Sequence, residues 1–352
     1  MVDTEQNIDE TEIDDTGELF EHYKFRVDKG QSLLRIDKFV TSKIENMSRN
    51  RVQAAADANC ILVNSKPVKS SYKVKPLDDI SIVMPYEKRE LELIPENIPI
   101  NIVYEDKDVI VIDKEAGMVV HPGHGNYSGT LVNALLYHLE QQGTSALSED
   151  ERGGFLVHRI DKDTSGLLVV AKNIFAHTKL AKQFFDHTVK RKYIALVWGA
   201  FDEKEGTVSG YIGRCQQDRM KMRVFDEEEN GKHAVTHYKV MEELGYVTLI
   251  ECVLETGRTH QIRAHMEHIK HPLFNDNRYG GDKIIKGTTF SKYKQFVDNC
   301  FSLLPRQALH AGLLGFIHPN TGKEMIFESE LPSDMTTVIE RWRHYIKYRT
   351  EI

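Results

Sequence analysis

The chain has 352 residues, of which 40% are hydrophobic and 28% charged, enough for about two domains that bury their cores without disulfide staples. Its 23 glycines and 10 prolines follow no repeat, so collagen-like, coiled-coil and wholly disordered classes are excluded. The net charge of −7 taken alone argues against a nucleic-acid partner, but the charge is unevenly spread. Residues 1–19 hold eight acids and no base, while Gly30–Pro76 holds nine bases against three acids, a candidate phosphate-binding surface.

Taken in chain order, residues 1–19 read as a disordered acidic tail. Their start has no basic and then apolar stretch, and no apolar run approaches the roughly 18–20 residues of a membrane span, so a cytoplasmic protein is expected. Cys60, Cys215, Cys252 and Cys300 are dispersed, which fits a reducing compartment and offers no zinc-type set.

Residues 20–86 read as a small ααβββ module. A first helix runs around Leu34, Ile36, Phe39, Val40 and Ile44. Ser48 caps a second helix through Arg51, Val52 and Ala55. Alternating residues around Asn64-Ser65 then predict a hairpin and a third strand. Residues 87–98 are charged and proline-punctuated, a linker.

Residues 99–352 form a second domain. Strand signals are NIVYEDKDVIVIDK, FLVHRI, GLLVVAK, KYIALVWG, HAVTHYKVMEEL, YVTLIECVLE and AGLLGFIHP. Helices are expected near Thr130–Leu139, Asn173–Asp186, Thr259–His268 and Asp334–Tyr348. Strands outnumber helices and often follow one another directly, which predicts an α+β fold with a mixed, largely antiparallel sheet.

Three strings carry candidate chemistry. HRIDKDTSGLLVVAKN places Arg159 and Asp161 at the end of a short strand before a glycine turn, where a carboxylate can face a cleft. An isolated Asp there more often caps the turn. GRTHQIRAHMEHIKHP reads as a helix ended by Pro272, with His260 and Arg263 on one face. Arg258 and Arg263 suit a carboxylate or a phosphate. HTVKRKYIALVWG puts Tyr193 in a strand behind a basic cluster, a position more often core than catalytic.

Two resemblances connect these strings. LLRIDKFVTSKIENMSRNRVQAAADANCILVNSKPVKSSYKVKPLDDI resembles an S4 RNA-binding domain, with Asn59 standing where that family usually has Gly. The resemblance makes Arg35, Arg49, Arg51 and Lys66 candidate phosphate contacts. HRID with DTSGLLVVAK, RKYIALVWG and ETGRTHQIRAHM, together with KEAGMVVHPG, GTLVNALL and RQALHAGLLGFIHPNTG, resembles the RluA-type RNA pseudouridine synthases, and within them the subgroup acting on a large-subunit ribosomal RNA stem-loop.

The resemblance implies an isomerase that needs no cofactor or metal. It breaks the N-glycosidic bond of a uridine and rejoins the base through carbon 5. Asp161 is the implied catalytic carboxylate and Arg263 the guanidinium that favours its charged form. Because a stacked base is unreachable, the target is flipped out. Arg159 fills the vacated position, Tyr193 stacks on the flipped ring and assists proton transfer, Arg258 contacts substrate, and Leu309 and His310 line the pocket wall. Thr164, Ser165 and Gly166 shape the loop, while His158 and His260 are hydrogen-bonded scaffold. The expected partner is large-subunit ribosomal RNA, free or within a ribosomal precursor, with no membrane and a monomeric enzyme.

Rival readings are weaker. The kinase HRD loop lacks its DFG partner and glycine loop. His260, His265, His268 and His271 lack an HExxH spacing. A non-catalytic RNA-binding assembly factor of the same fold would have lost Asp161.

Overall fold

The computed structural model describes residues 20–44, 48–84, 93–123, 125–143, 156–218 and 220–349, apart from the side chains of Phe20, His22, Arg51, Met84 and Arg349. The acidic leader lies outside them. The chain divides into two compact units after Leu91.

In the N-terminal unit, β1 (Phe20–Arg26), β2 (Leu34–Arg35), α1 (Ile36–Lys43), α2 (Arg49–Asp57), β3 (Ile61–Val63), β4 (Lys66–Pro67), β5 (Lys73–Val74) and β6 (Asp79–Met84) follow in order. Ile36, Phe39 and Val40 of α1 recur at helical spacing and are buried with Val52 and Ala56 of α2 against Ile61, Val63, Ile80 and Ile82. The four-stranded sheet runs β1-β6-β3-β4, and β2 pairs with β5.

The unit differs from the expected ααβββ order by β1 and β2 before the helices and by a fourth strand after them. FEHYKFR is mostly polar and shows no clean alternation, so only its antiparallel pairing with β6 makes it a strand. Leu34, expected in the first helix, belongs to β2. The turn was legible: Asn64 and Ser65 both take positive φ, 50° and 66°, as a two-residue hairpin joining Val63 to Lys66 requires. Asn59 also takes the left-handed conformation, φ 58°, which Asn tolerates where most side chains do not.

The second unit is built on one sheet. Its strands are β7 (Asn101–Glu105), β8 (Val109–Lys114), β9 (Ser165–Ala171), β10 (Lys190–Trp198), β11 (Glu205–Arg214), β12 (Met222–Phe225), β13 (Lys232–Glu243), β14 (Val247–Leu254), β15 (Leu309–Ile317) and β16 (Glu324–Glu328). Its helices are α3 (Leu131–Gln141), α4 (Ile174–Phe185), α5 (Gln261–His268), α6 (Ser291–Leu303) and α7 (Ser333–Arg349). The order is β12-β11-β13-β14-β10-β15-β9-β8-β7, with β16 beside β15.

Every neighbouring pair is antiparallel except β15 with β9, so the mixed, largely antiparallel α+β architecture is as expected. Alternation on the strands buries both faces. Tyr193, Ala195 and Val197 of β10 join α3 and α5, whereas Leu196 and Trp198 join α6 and α7.

The single parallel contact positions the site. It pairs His310 with Ser165 and Ala311 with Gly166. Gly166 has φ +112°, and a Cβ there would lie 2.3 Å from the Ala311 carbonyl oxygen, so no other residue fits. The loop before β9 and the start of β15 are thereby pressed together, and that loop carries Asp161.

Two expectations are corrected. FLVHRI is not a strand: among the described residues it makes one bridge, Leu156 to Val170, and His158–Asp161 is irregular. Helix α5 begins at Gln261, because His260 is left-handed at φ 53°, and stops before Pro272, where Lys270 takes φ 70°. Strands β11 and β12 and helix α6 carried no readable signal. In β11, glycines interrupt the pattern because Cβ atoms at Gly206, Gly210 and Gly213 would meet Tyr238, Val224 and the Asn230 carbonyl. No helix among the described residues is long and apolar enough to cross a membrane.

Candidate active site

Residues from the loop before β9, from β10, and from the lead into α5 line a cleft of about 440 Å³. Asp161 lies in it with a quarter of its side chain exposed. Its loop is closed by Thr164 N–H donating to the Asp161 carbonyl at 3.1 Å and is fastened from below by two buried cations.

Lys114, 2% exposed, donates to the carbonyls of Glu115 (2.7 Å), Met118 (3.0 Å) and Lys162 (2.9 Å). Burial pushes its ammonium down to about 8, opposed by the nearby Asp163 charge. Arg306 is held bidentately by Asp334, at 2.7 and 3.0 Å, and donates to the Asp163 carbonyl at 3.0 Å. Gln307 adds a bond to Thr164 Oγ1 at 3.3 Å.

Arg263 is 5% exposed. Its Nε and Nη2 donate to the two oxygens of Asp276, at 2.7 and 2.9 Å, leaving Nη1 to reach Asp161 Oδ2 at 3.0 Å. The Tyr279 ring lies 4.9 Å from the guanidinium. Burial alone would lower the pKa of Arg263, but the Asp276 bonds and the charges of Asp276 and Asp161 hold it above the usual arginine range. Asp276 is itself fully buried. One permanently charged group is therefore locked by one carboxylate and presented to another, and Asp161 Oδ1 accepts no hydrogen bond from the described residues.

Tyr193, Leu309, Ile160 and Ile262 supply the apolar wall. Burial pushes the Tyr193 hydroxyl up, with Arg191 opposing that shift. His158 accepts from Val169 N–H at 3.0 Å, and burial pushes it down to about 3, so it is neutral. His260 meets the Tyr279 hydroxyl at 3.0 Å through Nδ1, and burial lowers its pKa too. Arg159 is exposed at the cleft, and Arg258 Nε is anchored on the His233 carbonyl at 3.0 Å.

His310 departs from expectation. Successive strand residues face opposite ways, so with Leu309 in the cleft, His310 turns away. It is buried, with Nδ1 3.0 Å from Ser165 Oγ. It fastens β15 to β9 and does not line the pocket.

In the N-terminal unit, Arg35 and Arg49 both bond Asp37 Oδ2, at 2.9 and 3.0 Å. Lys66 is exposed, and the Arg51 side chain lies outside the described residues. The four histidines of the rejected metal reading do not converge: His260, His265 and His271 bond Tyr279, Thr236 and the Trp198 carbonyl. Asp106, Asp108 and His318 do cluster, but Asp106 already accepts from two backbone N–H groups and Tyr104, and Asp108 accepts from Asn173 and Asn320. They close a turn.

Asp276, Tyr279, Lys114, Arg306 and Arg191 escaped the sequence reading. The NDNRYGG string around Asp276 has the look of an ordinary turn, and buried cations resemble surface ones in sequence.

A sheet with one parallel junction and a carboxylate–arginine pair in an aromatic cleft define a class that comparison identifies. Residues 108–268 match the family model described as RNA pseudouridylate synthase. An RNA pseudouridine synthase of Chlorobaculum parvum is 48% identical over 90% of this chain and 96% of that protein. The chain belongs to the RNA pseudouridine synthases, which are isomerases, and to their RluA type. Similar too is the ribosomal large subunit pseudouridine synthase D of Nitrosomonas europaea, 43% identical over 88% of this chain and 85% of that protein. The solved human RNA pseudouridylate synthase domain containing 4 shares the fold, with TM-score 0.52 and 23% identity over 69% of this chain and 93% of that one.

Proposed function

We propose that this enzyme converts uridines of large-subunit ribosomal RNA to pseudouridine, with Asp161 as the catalytic carboxylate acting on a flipped-out nucleotide. The observation that carries the reading is the state of Asp161. One oxygen is pinned by a guanidinium that is itself immobilised, the other accepts no hydrogen bond from the described residues, and the side chain lines a cleft together with Tyr193 and Leu309.

The reaction breaks the bond from N1 to C1′, forms the bond from C5 to C1′, releases the C5 proton and leaves a proton on N1. No electrons are exchanged, so no redox partner is required. Asp161 serves as nucleophile or base at the sugar. Tyr193 stacks on the uracil, and that stacking, worth roughly 1–3 kcal/mol, offsets an unstacking cost of similar size. Arg159, exposed at the cleft mouth, fills the gap left in the RNA, and Arg258 contacts the substrate. Relatives named for the ribosomal large subunit support the choice of RNA.

The N-terminal unit serves as an S4-like docking module, with Arg35, Arg49, Arg51 and Lys66 as phosphate contacts. The enzyme works in the cytoplasm as a monomer. Tritium release from carbon 5 of labelled ribosomal RNA tests the assignment: wild type releases it, and Asp161→Asn loses at least about a thousandfold in rate while retaining RNA binding. Release by the variant at a rate near that of wild type, or none by wild type, overturns it.

A further inference from the structure

Four arginines line the cleft: Arg159, Arg191, Arg258 and Arg263. Arg263 is neutralised by Asp276 and Asp161, Arg258 leans on a carbonyl, and Arg159 is in water. Arg191 is different. It is 8% exposed, its Nε is buried with no hydrogen-bond partner among the described residues, and no described carboxylate pairs with it.

A guanidinium withdrawn from water without a counter-charge is unfavourable, and the fold holds it there deliberately. The Phe184 ring lies 5.5 Å from its carbon, and Phe184 stacks on His158 at 4.4 Å. Gly257 keeps the space open, since a Cβ there would come within 2.8 Å of Arg191 Nη1. Arg191 and Tyr193 are two apart on β10, so they share a face. His158 is neutral and brings no rival charge.

We propose that Arg191 is the socket for a backbone phosphate flanking the flipped uridine. The ligand must be an anion, because a neutral carbonyl would leave the buried charge uncompensated. In RNA the standing anions are the phosphates, and the guanidinium fork takes two oxygens of one of them. The inference rests on the reading that the cleft receives the flipped nucleotide, and it adds a second anchor: Tyr193 holds the base and Arg191 the backbone beside it.

The test uses full-length enzyme and a synthetic stem-loop whose target uridine the wild type converts, which establishes the cleft reading first. Neutral methylphosphonates then replace, one at a time, the phosphates flanking that uridine. One position weakens binding by roughly 10-fold or more, and the same position has no further effect on Arg191→Met. With unmodified RNA, Arg191→Met raises KM far more than it lowers kcat. It also reduces the slope of log Kd against log salt by about 0.7, the share of one phosphate on a single strand, and Arg191→Lys restores much of that slope. If no flanking methylphosphonate weakens wild-type binding, the proposal falls whether or not the variants fold. It falls equally if the loss on Arg191→Met is confined to kcat, which would place the contact on the departing uracil.

Discussion

The two units contain mirror-image ion-pair triads. In the N-terminal unit one fully buried carboxylate, Asp37, is gripped by two arginines whose side chains are 42% and 51% exposed. In the catalytic unit one buried arginine, Arg263, is gripped by two carboxylates, of which Asp276 is fully buried and Asp161 is a quarter exposed. The central group is ion-paired on two sides in both, and the exposed members are outer groups: both arginines in the first triad, Asp161 alone in the second. The N-terminal triad therefore presents positive charge and the catalytic triad presents a carboxylate. The same chemistry yields exposed guanidinium groups or an exposed carboxylate, depending on which sign occupies the centre.

The sharpest way to break this comparison is to release the centre of the catalytic triad. Asp276→Asn removes the charge that fixes two of the three Arg263 contacts. Misplacement of a reacting group by about 1 Å costs roughly 100-fold, so kcat in single-turnover tritium release is expected to fall by about that factor, with RNA affinity changed only a few-fold. An unchanged kcat would mean that Asp161 needs no immobilised partner.

A smaller effect is expected at the cation beneath the loop. Below about pH 8 Lys114 is an ammonium with three N–H donors for three carbonyls, and above it an amine with two. Wild-type kcat should decline as pH rises through about 8. Lys114→Met leaves three carbonyls without that donor; the loosened loop should lower kcat by roughly 10-fold or more, and the variant should show no such decline. A decline that persists in the variant would place the titration elsewhere.

How much of this was legible follows from what each feature depends on. The apolar runs of β8, β9 and β10 declare buried strands, and Leu131, Leu135 and Leu139 declare the inner face of α3. Asp161, Arg263 and Tyr193 were singled out because their strings are distinctive, and the fold brings Asp161 to Arg263, with Tyr193 in the wall of the same cleft. Asp276 was not found, because its meaning comes from a turn thirteen residues beyond Arg263 that periodicity does not mark. His310 was misassigned because the choice between Leu309 and His310 is one of strand parity. That parity is set by the pairing of β15 with β9 and β10, which no local pattern reveals.

The smallest effect is expected at the other centre. Asp37 accepts four hydrogen bonds, two from Arg35, one from Arg49 and one from Lys38 N–H. Arg35 above all holds its pKa far below the usual carboxylate value, against the opposing effect of burial. A depressed folded pKa means that the stabilisation is present above the unfolded value of about 3.9 and is lost as pH falls below it. Asp37→Asn keeps the shape and removes the charge. The cost is about 1 kcal/mol, below the usual range for charged hydrogen bonds because both guanidinium groups are half exposed. Amide exchange in full-length protein should quicken in residues 34–57 at pH 7, and the acid-induced loosening of wild type below about pH 4 should be weaker in the variant. Turnover should not change. RNA binding should hold or tighten, because Arg35 and Arg49 lose their internal counter-ion and have more charge to offer phosphate. Weaker binding would show instead that Asp37 aims the arginines, and that the N-terminal centre, like Arg263, works by orienting what surrounds it.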